Sequence, residues 1–494
     1  MTESKEGSYR VVEDSFGAIE VPLDSYYGTQ TERSRRNFNI CLPQDKIPLS
    51  VVYALAMLKE IAAGINCAKS RISSDEATAI IGACREVYSG KLDDHFPLSI
   101  WQTGSGTQTN MNVNEVVATR ATELLCGSRT GQPRIHPNDH VNCGQSSNDI
   151  FPTAMNLSVS LETAWKTIPA LESLVDAINA KASQFHDVVK IGRTHLQDAV
   201  PMTFGQELGS FGARLSNTIG LIRQGVKSIC NLAVGGTAVG TGLNSTKGFD
   251  LEMCDGVTKL VEGMLKQRYG DTADKYMKLT FTPAENKFAA LAGHDDLLQL
   301  SSCFNQTATI LFKLAGDFAL LSSGPSCGLG ELILPPNEPG SSIMPGKVNP
   351  TQCEALRMVS LQVMGNHFTT SMAASLGQLQ LNVFKPLIVA RMLHSCQLLR
   401  DAALSFTRNC VEGLQINHRR VEEHVRNSLM LVTALTPHIG YDKAARLAKY
   451  AKENNLTLRE AALKLNMVSA EEFDRVVRPA SMAFPFSEEN INNN

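Results

Sequence analysis

The chain has 494 residues, and its 46 Lys+Arg against 49 Asp+Glu leave a net charge of −3. That balance excludes the basic excess of a nucleic-acid binder, and the length allows about three domains at ~150 residues each. Only 19% of residues are charged, below the ~25% of an average soluble protein, so part of the surface is expected to be covered by another chain.

The N-terminal segment carries Glu3, Lys5 and Glu6 and no apolar run. It reads as neither a secretory signal nor an acid-poor transit peptide, and a cytoplasmic location is expected, with a processed mitochondrial form as the alternative. Residues 1–48 read as extended and turn-rich, with Phe16–Pro22 as a short strand or hairpin edge. At Val51 the period changes. Val51, Ala54, Leu55, Leu58, Ile61, Ala62 and Ile65 recur at helical spacing, with Lys59 and Glu60 off that stripe. Leu161, Trp165, Ile168, Leu171, Leu174, Val175 and Ile178 predict a helix with a kink at Pro169. Segments 205–233, 297–323 and 354–376 predict further long helices.

Two of these helices are poor in charge. Residues 301–323 carry only Lys313 and Asp317, and 355–376 carry only Arg357. A helix that is apolar all round must be buried all round. No uncharged apolar stretch reaches the ~18 residues that span a membrane. The pair therefore predicts the centre of a large helical bundle, shared between subunits or held within one big domain. Residues 418–494 read as a smaller, more charged helical unit. Thr457–Leu465 and Ser469–Val477 look like capped helices, with Thr457 and Ser469 as N-caps and Glu460 and Glu472 at N3. No internal repeat and no strand-rich region is present, so the expected fold class is mainly α. The twelve cysteines include no CxxC pair and read as reduced core residues.

Chemistry is expected in the polar loops between helices. One is Gln102–Asn110, a second holds His136–His140 and Gln145–Asp149, and a third is Pro339–Pro350. A fourth segment, Gly192–His195, precedes a helical run. In the third loop, Asn349 as N-cap and Pro350 at N1 are a helix-start signal. The loop thus feeds a helix N-terminus with free N–H groups, and Lys347 adds a positive charge, a combination that suits a carboxylate. A Walker A reading of Gly340–Lys347 fails on spacing and on Val348 in place of Ser/Thr. Gly240–Gly242 lacks the rest of a dinucleotide fingerprint. His136 and His140 have i,i+4 spacing, but Pro137 argues against helix there and no HExxH is present, so no metal site is expected. Hydroxyls, amides, one Lys, one His and one Glu together suit a small polyanion and proton transfer.

The loop Gly340-Ser341-Ser342-Ile343-Met344-Pro345-Gly346-Lys347-Val348-Asn349-Pro350 resembles the signature loop of the aspartase/fumarase superfamily. Within it, Trp101–Asn114 and Gln145–Asp149 are similar to the class II, iron-independent fumarase versions rather than the aspartase ones. Gly192–Asp198, Gly235–Asn244 and Asn427–Lys443 match as well, and the resemblance runs from about Tyr9 to Phe486. Cys143–Gly144, Gln378–Gln380 and a long 252–284 segment depart from the pattern and bear on fine specificity and surface contacts.

The resemblance implies a three-domain fold: an N-terminal domain 1–139, a central long-helix bundle domain 140–417 and a small helical domain 418–494. It implies a homotetramer whose active sites are each shared between three subunits. The implied reaction is the reversible hydration of fumarate to (S)-malate in the tricarboxylic acid cycle, with no metal or cofactor. Carried over by motif, Ser341 is the base, and His195 with Glu354 is the acid pair. Ser105, Gly106, Thr107, Ser146, Ser147, Asn148, Thr194, Ser342, Lys347, Val348 and Asn349 would hold the dicarboxylate. His136, Pro137, Asn138 and Asp139 would form a second dicarboxylate site. No nucleic acid or membrane is expected as partner. An aspartase-type ammonia-lyase and a non-catalytic scaffold of the same fold are the rival readings.

Overall fold

The hairpin expected at Phe16–Pro22 is present. Strand β1 (Tyr9–Asp14) pairs antiparallel with β2 (Gly17–Pro22), from Tyr9↔Pro22 to Asp14↔Gly17. The computed structural model describes residues 9–129 and 134–485. Within them helices dominate, and the sheets are two-stranded pieces, so the fold is mainly α.

After the hairpin come α1 (Thr29–Asn37), α2 (Leu49–Ala68), α3 (Ser74–Tyr88), α4 (Thr107–Cys126) and α5 (Ser147–Glu162). Helix α2 packs against α3, α5 and α8 (Phe249–Tyr269). By length and composition α2 could cross a membrane, yet it is a core helix here. Lys59 and Glu60, which lie off the apolar stripe, are 0% and 8% exposed. A buried charge needs polar partners, and Glu60 accepts from Arg85 Nη2 and Tyr88 OH, each at 2.8 Å.

The helix break expected at Pro169 takes the form of a π turn. Helix α5 ends at Glu162, Thr163–Thr167 form the wider turn, and α6 (Ile168–Gln184) begins one residue before the proline. Proline lacks an N–H and clashes with the carbonyl four residues back, so the ladder is relaxed just ahead of it. The long helices are α7 (Phe204–Ile229), α10 (Asp295–Leu321) and α11 (Thr351–Ser375), with α9 (Lys287–Ala292) preceding α10 and α12 (Lys385–Phe406) following α11. The 252–284 segment is most of α8, a 3-10 turn, Gly270–Lys275, and an irregular stretch with the short strand Thr282–Pro283.

Helix α11 is not buried all round by its own chain. Met358 is 66% and Phe368 68% exposed, and Leu361 and Met372 are exposed with them.

The chain divides into two compact units. Unit 1 comprises Met1–Pro169, Ile219–Ala308 and Leu361–Arg400, and unit 2 comprises Ala170–Thr218, Thr309–Ser360 and Asp401–Asn494. Each is discontinuous because α6, α7, α10, α11 and α12 are divided between them. Unit 1 has a core that includes Val51, Leu55, Leu58, Ile80 and Phe151. In unit 2, β3 (Val189–Thr194) and β4 (Gln197–Thr203) form a hairpin against α13 (His418–Asn427). Its C-terminal helices enclose Leu431, Leu435, Leu447, Ala451, Leu458 and Phe473. Thr457 and Ser469 cap the helices Leu458–Lys464 and Ala470–Val476 as expected. Glu460 completes a reciprocal capping box, while Glu472 supplies only its backbone N–H.

Candidate active site

In unit 1 the first polar loop ends at the N-terminus of α4. Glycine is required twice there. A Cβ on Gly104 would lie 1.4 Å from Val383 O, and Gly106 has φ +77° with the Phe151 ring 2.4 Å from where its Cβ would be. This close packing sets Ser105 beside Thr107, Oγ to Oγ1, at 2.8 Å. Thr107 Oγ1 in turn lies 2.8 Å from Ser147 Oγ, in the first turn of α5. Two helix N-termini therefore meet at a ladder of three hydroxyls, and both bring positive dipole ends and free N–H groups.

The Ser147 end of the ladder is tied down from both sides. Ser146 is the N-cap of α5, and Asp149 closes a capping box by accepting from Ser146 N at 2.9 Å. The Asp149 carboxylate is fully buried and also accepts from Gly235 N at 2.9 Å, while Asn148 Nδ2 donates to Ala238 O at 2.8 Å. The Gly235–Asn244 motif is thereby fastened to the Gln145–Asp149 motif. Burial pushes the Asp149 carboxyl up, against the pull of the N–H groups of Ser146, Thr237 and Gly235 and of Lys59.

On the other side, Lys59 Nζ donates to Asn142 Oδ1 and to Gln145 Oε1, both at 2.8 Å. Burial pushes the Lys59 ammonium down to about 7, with Asp149 opposing that shift.

The segment His136–Asp139 sits upstream of this loop. Pro137 does not prevent helical structure here: it is the first residue of a π turn, Pro137–Val141, a position where its missing N–H costs nothing. His136 Nδ1 accepts from Asp139 N at 3.1 Å, and His136, Asn138 and Asp139 are exposed.

In unit 2, Thr194 and His195 lie at the tip of the β3–β4 hairpin. His195 and Leu196 both have positive φ, +56° and +60°. Such a two-residue turn ordinarily takes Gly or Asn, so the hairpin holds an imidazole outward at a conformational cost. Its base is anchored by Glu331, which is fully buried. Glu331 Oε1 accepts from Arg193 Nη2 at 2.6 Å and lies 2.8 Å from His424 Nδ1, and Lys190 Nζ is 3.4 Å from Oε2. Burial pushes the Glu331 carboxyl up. Arg193, Lys190 and His424 outweigh that and hold it below the usual carboxylate range.

The signature loop closes on itself. Gly340 N donates to Lys347 O at 2.8 Å, and Asn349 Nδ2 donates to Gly340 O at 2.7 Å. Helix α11 begins at Thr351, one residue later than Pro350 at N1 predicts, and the amide of Asn349 pins the loop. Ser341 Oγ accepts from Ile343 N at 3.2 Å and Met344 N at 3.1 Å. Ser342, Lys347, Val348 and Glu354 are exposed, and Ser341 is half-buried. Among the described residues, no hydrogen bond joins His195 to Ser341 or to Glu354.

Sequence reasoning missed Lys59, Asn142 and Glu331. The available signals were small: a Lys-Glu pair interrupting the apolar run 51–65, and an acid heading the apolar run Leu332–Leu334.

A general lyase family model matches residues 17–365, and the model of the fumarase C C-terminus matches 431–483. Fumarate hydratase of Schistosoma mansoni is 59% identical over 485 residues, 98% of this chain and 99% of that protein. The mitochondrial fumarate hydratase of Homo sapiens is 50% identical over 482 residues, 98% of this chain and 91% of that protein. The crystal structure of recombinant class II fumarase from Schistosoma mansoni matches with a TM-score of 0.95 and 60% identity, covering 97% of this chain and all of that one. With both family models and these relatives in agreement along the chain, and with the hydroxyl ladder and signature loop in place, the chain belongs to the class II fumarase family of the aspartase/fumarase superfamily.

Proposed function

We propose that the protein is a fumarate hydratase acting by acid/base chemistry, with Ser341 as base and His195 backed by Glu354 as acid. In the dehydration direction Ser341 takes the proton from C3 of malate, leaving an aci-carboxylate. His195 then protonates the departing C2 hydroxyl, and water and fumarate leave. In hydration the same groups run in reverse. The reading requires no metal and no cofactor.

The observation that carries it is the environment of Ser341 Oγ. A serine hydroxyl is a poor base at neutral pH. Two backbone N–H groups, from Ile343 and Met344, already donate to this oxygen. Donors aimed at the charged form favour it, so the loop is built to stabilise an alkoxide. Lys347 adds positive charge in the same loop, where the aci-carboxylate brings a further negative charge.

Ser105, Gly106, Thr107, Ser146, Ser147, Asn148, Thr194, Ser342, Val348 and Asn349 hold the substrate carboxylates in this reading, and His136–Asp139 form a second dicarboxylate site. The protein works as a homotetramer with each site drawn from three chains. One finding supports this: the exposed apolar residues Met358, Leu361, Phe368 and Met372 of α11, which their own chain leaves uncovered. The functional parts are the regions 1–139, 140–417 and 418–494, and the proposed location is the cytoplasm.

The test is the ultraviolet absorbance of fumarate on adding enzyme, with and without ammonium. Loss of absorbance without ammonium supports hydration. Loss only with ammonium selects an ammonia-lyase, and no loss in either case selects a scaffold.

A further inference from the structure

Lys59 is an ion that the proposed chemistry does not use, yet the fold buries it completely. Burying an ammonium is costly unless its hydrogens find acceptors. Among the described residues, none of its hydrogen bonds goes to a carboxylate. The acceptors are two side-chain carbonyls from one short loop, Asn142 Oδ1 and Gln145 Oε1.

The same loop spends its remaining amide hydrogens on itself. Asn142 Nδ2 donates to Gln145 O at 3.2 Å. Gln145 Nε2 donates to Val141 O at 3.2 Å and to Cys143 O at 3.3 Å. Asn142 Oδ1 also takes a hydrogen bond from Asn110 Nδ2 of α4, at 3.2 Å. An amide side chain can bind either way round. A pure donor such as the Lys59 ammonium permits only the orientation with both carbonyls facing it. Once those carbonyls point inward, both NH2 groups point back into the loop and close it. The residues that follow are Ser146, Ser147 and Asn148.

We propose that Lys59 is a positioning residue: by fixing the orientation of the Asn142 and Gln145 amides from within the core, it holds Ser146, Ser147 and Asn148 where they take a substrate carboxylate. The inference rests on the reading of those three residues as carboxylate contacts. Lys59 touches no substrate. It acts through the loop, as outer residues orient inner ones at other preorganised sites. Its effect therefore falls on binding more than on the proton-transfer steps assigned to Ser341 and His195.

The test is Lys59→Met, which keeps the length and removes the donors. The KM for malate is expected to rise about tenfold or more, with kcat at saturation changed less than about threefold. In the substrate-free protein, amide hydrogen exchange across 142–149 is expected to speed up about tenfold, while exchange across the 189–203 hairpin stays as in wild type. If Lys59→Met fails to fold, Gln145→Leu removes one acceptor from the loop side and is expected to give the same rise in KM. A KM within twofold of wild type, or a loss confined to kcat, overturns the positioning role. A wild-type protein inert toward fumarate sinks the functional reading instead. The exchange measurement then decides alone, and unchanged exchange across 142–149 overturns the inference.

Discussion

The polar residues of unit 1 and those of unit 2 are held in different ways. In unit 1 the Ser105–Thr107–Ser147 ladder is closed within hydrogen-bond distance, and the neighbouring loop is tied to Lys59 on one side and Asp149 on the other. In unit 2 the proposed reactive groups stand outward. His195 sits on a strained turn, and Ser342, Lys347 and Glu354 are exposed. What is fixed in unit 2 is the Glu331 cluster and the closed backbone of the signature loop. In the proposed reading the contrast separates binding from reaction: the hydroxyls proposed to hold a carboxylate are preorganised inside one unit, whereas the groups proposed to move protons are exposed.

The sharpest break in that contrast comes from the reactive groups. Ser341→Ala and Lys347→Met are each expected to lower turnover by about 10³-fold or more with the fold intact, because one removes the proposed base and the other the positive charge proposed to offset the aci-carboxylate. Turnover from fumarate absorbance and folding from circular dichroism check this together. Near-normal turnover of Lys347→Met at saturating malate counts against the assignment.

Glu331→Gln probes what lies behind the hairpin. It leaves Arg193 without its carboxylate partner, while Lys190 keeps Glu207 at 2.7 Å, and the broken buried pair costs on the order of 3 kcal/mol. The sign with pH follows from the depressed carboxyl. Its stabilisation is complete above the unfolded value of about 4.3 and is lost as pH falls through the lower folded value. Chemical denaturation of wild type and variant between pH 3 and pH 7 is expected to show a gap that narrows in acid.

Much of this was legible in the sequence for physical reasons. Long helices announce themselves by period, and α7, α10 and α11 begin within three residues of expectation. The loops were legible because runs of Gly, Ser, Thr and Asn have few uses other than backbone punctuation and hydrogen bonding. Lys59 was not, because a single-sequence stripe assigns a charged residue to the outside, and only packing by α3, α5 and α8 reverses that. Glu331 is invisible until the chain brings it to Arg193 and His424, which stand 138 and 93 positions away. The form of the break before Pro169, a π turn, is likewise a matter of how the backbone relaxes and not of composition.

Glu354→Gln is expected to keep substrate binding and to lower turnover by roughly 10–100-fold, since in the proposed pairing a neutral amide no longer supports charge on His195. The pH–rate curve is expected to change with it, and an unchanged curve removes Glu354 from the mechanism.

A last effect concerns the buried ammonium of unit 1. Burial pushes Lys59 down to about 7 from an unfolded value near 10.4. Below pH 7 both states carry the proton and the full burial cost applies. Between pH 7 and about 10 the unfolded chain binds more protons, so stability rises with pH. Lys385, held by Leu291 O and Asn382 O and also pushed down to about 7 by burial, contributes in the same direction. The melting temperature of Lys59→Met is expected to rise less than that of wild type across this window.

The central claim is that the outward groups of unit 2 are completed by other chains, and mixing two inactive variants tests it directly. Ser341→Ala and His195→Asn are separated into subunits, combined at equal ratio and reassembled, with hybrid formation confirmed by native mass. If each site takes its Ser341 loop and its His195 hairpin from different chains, about a quarter of sites in random hybrids are complete, and activity returns toward a quarter of wild type. Verified hybrids no more active than either parent would contradict the account, because that result requires both residues of a site to come from one chain.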